Sequence, residues 1–149
     1  MGQSLSQLYV HLTFGTKGRQ ALLSEHLEAR LHAYIAGILK KVESPALKIN
    51  SVPDHIHILF RLSKNYALAK VVEEVKKESS KWMKVNGVEE FTWQIGYGAF
   101  SVSSSAVKTV EKYIERQKEH HHSASYKEEV DDFMRKFDVI EYDDNYFWN

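Results

Sequence analysis

Apolar and polar residues alternate at the start of the chain. Leu8, Val10, Leu12 and Phe14 fall on one side, and Tyr9, His11 and Thr13 on the other. A period of two predicts a β-strand. Residues 15–18, with Gly15 and Gly18, end it. Ser24 then offers an N-cap, and the period lengthens to that of a helix reaching about residue 41. Its apolar stripe is Leu27, Leu31, Tyr34, Ile35, Ile38 and Leu39. Pro45 marks a turn. Leu47, Ile49 and Ser51 begin a second strand, and Pro53-Asp54 is a further turn signal. Beyond it Ile56, Ile58 and Phe60 alternate with His55, His57, Leu59 and Arg61, which predicts a third strand in an antiparallel hairpin with the second. A second helix is expected over about 66–85, with Leu68, Val71, Val72, Val75, Ser79 and Trp82 on one face. Residues 91–102 are aromatic and dotted with glycine; Trp93, Tyr97, Phe100 and Val102 suggest a fourth strand. A third helix is expected from Ser104 or Ser105 to about 120, where Val107, Val110, Tyr113 (or Ile114) and Gln117 recur at helical spacing. A short helix over about 126–137 precedes a tail rich in Tyr and Asp.

The order β-α-β-β-α-β-α predicts an α+β fold. It is the ferredoxin-like or RRM-like split β-α-β plan: an antiparallel sheet with helices on one face, plus a helix carrying Tyr113 and a C-terminal tail. The other face of such a sheet is expected to be open for a partner or a site. No repeat or linker divides the 149 residues, so 1–149 is expected to be one domain, with 119–149 packed on it as an acidic helical tail.

Composition adds exclusions. With 43% hydrophobic and 27% charged residues, the chain can bury a core without covalent staples. No cysteine is present, which removes disulfides and thiolate metal sites. Apolar runs too short for a bilayer and no signal-peptide layout lead us to expect a cytoplasmic protein with no membrane partner. The formal net charge of zero hides a division. Residues 1–118 hold 17 Lys and Arg against 11 Asp and Glu, a net of +6; residues 119–149 hold 3 against 9, a net of −6. A basic body suits a polyanion and an acidic tail can pack against it, although ordinary surface variation gives the same pattern.

Candidate chemistry begins with His55-Ile56-His57. On a strand both imidazoles leave the same face, with Cα atoms roughly 6–7 Å apart, and two ring nitrogens can then converge on one ion. Two ligands alone bind weakly. Tyr113 and Gln117, four apart on a helix, project from one side. Gln117 can offer an amide oxygen to a metal and Tyr113 a phenol to whatever the metal polarises. A neutral His₂Gln set suits Mg²⁺ or Mn²⁺ facing a polyanionic substrate. Each part has a plain structural reading as well: sheet packing for the histidines, core packing for the tyrosine. Tyr126 and Tyr97 are rival nucleophiles, but neither has a metal-capable partner one turn away.

Several blocks carry a resemblance. Pro53-Asp54-His55-Ile56-His57-Ile58-Leu59 resembles the HUH motif of the single-tyrosine transposases that move small insertion sequences as single strands. The stretches 93–103 and 113–121 resemble further blocks of that family, as do 7–14 and 141–146, so the likeness covers almost the whole chain. It implies a metal-dependent single-stranded DNA transposase or endonuclease. Tyr113 would attack a phosphodiester, form a 5′-phosphotyrosine and free a 3′-OH, with His55, His57 and Gln117 holding the metal. It further implies recognition of DNA hairpins, rejoining of strands at hairpin-flanked sites, and a homodimer in which one subunit's tyrosine helix commonly completes the other's site. No ATP-binding loop is present, and a phosphotyrosine that conserves the phosphodiester needs none.

Lys76, Lys77, Lys81 and Lys84 form a basic helix face that suits a DNA backbone or simple solvation; Lys17 and Arg19 are further candidates. His120, His121 and His122 are read as cations closing the third helix rather than as metal ligands, and His11 as a structural histidine. Trp93, Tyr97 and Phe100 fit a sheet edge and core before base stacking. Tyr142, Tyr146, Phe147 and Trp148 are expected to dock on the body or on a partner. Two other functions use the same parts: a domesticated hairpin-DNA-binding protein, and a metal-dependent phosphodiesterase with water as nucleophile.

Overall fold

The computed structural model describes residues 2–121 and 124–148, the side chain of Asn145 excepted. Four strands form one antiparallel sheet: β1 (Leu8–Gly15), β2 (Ala46–Val52), β3 (His55–Leu62) and β4 (Gly98–Val102), in the order β2-β3-β1-β4. Every neighbouring pair runs antiparallel, which is the split β-α-β arrangement. The helices α1 (Glu25–Lys41) and α2 (Leu68–Val85) are the two crossovers. Their apolar stripes meet Val10, Leu12, Phe14, Ile56, Ile58 and Phe60 in one continuous core. Tyr34, expected on that stripe, stays partly exposed and stacks on Trp82 instead.

The second face of the sheet, expected to be open, is roofed. It carries α3 (Val107–Glu115), the single turn α4 (Gln117–His120) and α5 (Tyr126–Lys136), with a last turn α6 (Asp144–Phe147). Phe133 of α5 meets His11 edge-on at 5.3 Å between ring centroids, and Tyr126 of α5 bonds Thr13. β1 and β3 are therefore buried on both faces: inward positions contact α1 and α2, and His11, Thr13, His55, His57 and Leu59 lie beneath the second layer.

Two elements depart from the pattern. The fourth strand is only Gly98–Val102, because 91–97 forms a packed loop. Phe91 and Trp93 enter the core, where Trp93 meets both Phe14 and Phe91 edge-on, and the Trp93 indole N–H donates to Ser79 Oγ at 2.9 Å. Carbonyls that would have joined a ladder are taken by Lys76, whose Nζ donates to the oxygens of Gln94, Ile95 and Gly96 at 2.6, 2.8 and 3.1 Å. The third helix, expected to be continuous, is interrupted at Arg116. Asn50 of β2 donates its amide to the Ile114 carbonyl at 2.9 Å and so takes an acceptor that a continuous helix would use. Among the described residues no helix is long and apolar enough to cross a membrane.

Candidate active site

β3 delivers His55 and His57 to the second face, as a period of two requires. Both are fully buried. α3 delivers Tyr113, and α4 opens with Gln117, also fully buried. The four side chains meet within one chain, around a residue the sequence did not single out. Glu129 of α5 places Oε1 3.0 Å from His57 Nε2 and 3.2 Å from His55 Nε2. Its Oε2 accepts the Tyr113 hydroxyl and, at 3.0 Å, the Gln117 amide N–H. His121 joins them, with Nε2 3.1 Å from Glu129 Oε1. That corrects the reading of His121 as a mere helix-end cation. His120 lies 3.7 Å from Glu129 Oε2; His122 lies outside the described residues.

Each imidazole is held at its other nitrogen. His55 Nδ1 meets Asp54 Oδ1 at 2.7 Å, and its ring stacks on Tyr126 at 3.9 Å. His57 Nδ1 shares a 2.8 Å hydrogen bond with His11 Nε2, so the structural histidine of β1 supports the site. His121 Nδ1 donates to the Ala124 carbonyl at 2.6 Å. Tyr126, the rival nucleophile, donates its hydroxyl to Thr13 Oγ1 at 3.0 Å, while Thr13 donates to the Ile56 carbonyl. Burial raises its pKa well above the ordinary phenol value, so it is a structural tyrosine.

Electrostatics follow from this packing. Burial opposes charge on His55, but the adjoining Asp54 and Glu129 carboxylates outweigh that and raise its pKa. Burial lowers that of His57 despite the pull of Glu129. Burial, with His57 nearby, takes His11 down to about 3. Burial, with His55 nearby, takes His121 down to about 4. For Glu129, burial would lift the carboxyl; attraction to His57 and the close approach of both the His55 and His57 imidazoles hold it at about 2 instead.

His55, His57, His121 and Glu129 offer ligand atoms that all lie within 4.8 Å of one another. Donors on opposite sides of one ion, at about 2.1 Å each, are about 4.2 Å apart, so the group fits a divalent cation after a slight contraction. Among the described residues, the buried His55 Nε2 and Gln117 Oε1 lack a hydrogen bond, His55 Nε2 lying 3.2 Å from Glu129 Oε1. Beside it a cleft of about 570 Å³ opens between the β4 edge, α3 and α5, with Tyr113, His11 and Phe133 in its wall. A second opening is lined by Lys112, Arg116 and Tyr113.

The basic candidates are distributed differently. The Lys76 ammonium is committed to the three loop carbonyls, and burial takes its pKa down to about 8. Lys77 pairs with Glu74 at 3.2 Å and Lys81 with Glu78 at 3.8 Å, while Lys84 and Lys17 are exposed. The Arg19 guanidinium lies 4.9 Å over the Trp148 ring. The aromatic tail thus docks on its own body: Trp148 packs against Tyr126, and the Phe147 carbonyl accepts from Gln94 Nε2 at 2.7 Å.

The description of IS200-like transposases fits residues 4–117, three quarters of the chain. The chain belongs to the IS200-like transposase family. Its fold is also that of two solved structures. One is a candidate transposase from Deinococcus radiodurans R1, 21% identical, with TM-score 0.64 over 78% of this chain and 96% of that one. The other is a REP-associated tyrosine transposase bound to a REP hairpin, 15% identical, with TM-score 0.61 over 81% of this chain and 74% of that one. No curated protein matches the sequence significantly. The family match stops at Gln117, so His121 and Glu129 belong to the part of the site it does not describe.

Proposed function

We propose that this transposase cleaves and rejoins single-stranded DNA beside hairpins, with Tyr113 as nucleophile and His55, His57 and Gln117 as ligands of a divalent ion, Mg²⁺ or Mn²⁺. The observation that carries the reading is the meeting of the Tyr113 hydroxyl with both imidazoles on one buried carboxylate of the same chain. The ion, when bound, would draw charge from the scissile phosphate, an effect worth several kcal/mol at the transition state. Tyr113 forms the new bond to phosphorus; the bond to the 3′-oxygen breaks, and that oxygen leaves as a 3′-OH. Reversal by another 3′-OH rejoins strands. Free tyrosine is only about 0.1% phenolate at pH 7, so orientation matters. Glu129 supplies it: a carboxyl held near 2 is far too weak a base for a phenol, but it is a strong acceptor that fixes the hydroxyl. The single strand would enter by the cleft at Tyr113, past Lys112 and Arg116. Hairpin binding is supported by the likeness to a relative solved on a REP hairpin. A homodimer fits the reading but is not needed to complete the site.

Incubating the protein with labelled single-stranded DNA bearing a hairpin, with Mn²⁺, tests this. A slow-migrating covalent species should appear on a denaturing gel and vanish in Tyr113→Phe. Cleavage that persists in Tyr113→Phe without an adduct would mean water is the nucleophile. Hairpin binding without any cleavage would leave only a binding protein.

A further inference from the structure

We infer that the acidic tail supplies two further metal ligands, His121 Nε2 and the Glu129 carboxylate, so that the site prefers a transition-metal dication such as Mn²⁺ or Zn²⁺ over Mg²⁺. The inference rests on the histidine site proposed above and adds residues beyond the family match.

Three features carry it. First, three imidazoles present the same atom, Nε2, to one point, each with Nδ1 held by a partner: Asp54, His11 and the Ala124 carbonyl. Metal-binding histidines are held in this way, because the second contact fixes the tautomer and the ring direction. Second, neutral His121 is poorly matched to a bare carboxylate at the centre. A carbonyl opposite His121 Nδ1 requires the hydrogen there, which leaves a lone pair on Nε2 in the neutral ring. That lone pair faces Glu129 Oε1 at 3.1 Å. His55 aims its Nε2 at the same oxygen from 3.2 Å, with Nδ1 on the Asp54 carboxylate. A cation bound by both His121 Nε2 and Glu129 Oε1 turns that opposed pair into two ligands. Third, the Gln117 Oε1 atom is buried without a partner, while its amide N–H bonds Glu129. Gln117 can thus be ligand and support at once.

Three imidazoles decide the metal. Mg²⁺ favours oxygen and retains its waters, whereas Mn²⁺ and Zn²⁺ accept imidazole. His55, His57, His121 and Glu129 would hold the ion, and the ion would supply charge to a phosphate oxygen. The carboxylate that binds the ion also holds the Tyr113 hydroxyl, which sets nucleophile and ion side by side.

Calorimetric titration of the full chain, stripped with chelator, tests the proposal with Mn²⁺ and Mg²⁺ alone. One equivalent of Mn²⁺ should bind at least ten-fold more tightly than Mg²⁺, and His121→Ala and Glu129→Gln should each weaken Mn²⁺ at least ten-fold. Unchanged Mn²⁺ affinity in both variants, with binding lost in His57→Ala, overturns the tail ligands and leaves the histidine site standing. Unchanged affinity in His57→Ala overturns both. X-ray absorption of the Zn²⁺-loaded wild-type chain decides without any substitution: three imidazoles support the proposal, and two overturn it.

Discussion

Asp54 shows how much one side chain next to a motif can decide. Its carboxylate meets His55 Nδ1 at 2.7 Å and so turns Nε2 toward the centre. The hydrogen bond from His55 outweighs burial and lowers the Asp54 pKa. Asp54→Ala should leave the fold intact and cut cleavage by about 10–100-fold, the usual effect of losing such a support; single-turnover rates at saturating metal measure it. Titration at this scale also has a definite sign. His11 and His121 are held neutral in the fold, near 3 and 4, while the unfolded chain takes up protons near 6.5. Their contribution to stability is present above about pH 6.5 and is lost as pH falls toward those values. Glu129, at about 2, adds a loss between its ordinary 4.5 and 2. His55 works oppositely, since its raised pKa stabilises the fold below 6.5 and that contribution is lost as pH rises through the raised value. With His57 also lowered, the depressed histidines outnumber it. The thermal midpoint in chelator should therefore fall from pH 7 to 4, and His11→Asn should flatten that descent.

At the scale of elements, the basic helix face separates into two roles. Lys76 points along the same helix as Lys77, yet its ammonium closes the loop that sets the β4 edge. Lys76→Met leaves three carbonyls without their donor and should cost about 1–3 kcal/mol, measured by urea unfolding. Lys77→Ala should change stability little, because its pair with Glu74 is exposed. If Lys77 contacts DNA, its loss should lower the slope of log affinity against log salt by about 0.9 or less. β1 carries a tighter constraint at its end. Gly15 pairs with His55, and a Cβ there would meet the Asp54 carbonyl at 3.1 Å and the Tyr126 ring at 3.1 Å. The strand runs this close because α5 is pressed onto the sheet above the metal candidates.

At the scale of the whole molecule, the basic body and acidic tail are one arrangement. The tail covers the second sheet face, places Glu129 and His121 in the site, and ends with Trp148 against Arg19 and Tyr126. Alternating patterns in 8–14 and 55–61, two apolar helical stripes and a turn at Pro53-Asp54 by themselves determined the sheet and its two crossover helices, because strand and helix periods are local and burial acts on each. They also put His55 and His57 on one face, since a strand alternates wherever it lies. The tertiary structure alone decided what meets those histidines. Glu129 reads locally as one charge among many on an acidic helix, and His121 as the end of another; only the roofing of the sheet's second face makes them neighbours. The shortened fourth strand and the broken third helix have the same origin, for Lys76 and Asn50 take carbonyls from segments far along the chain, and no local pattern records a hydrogen bond made across the fold.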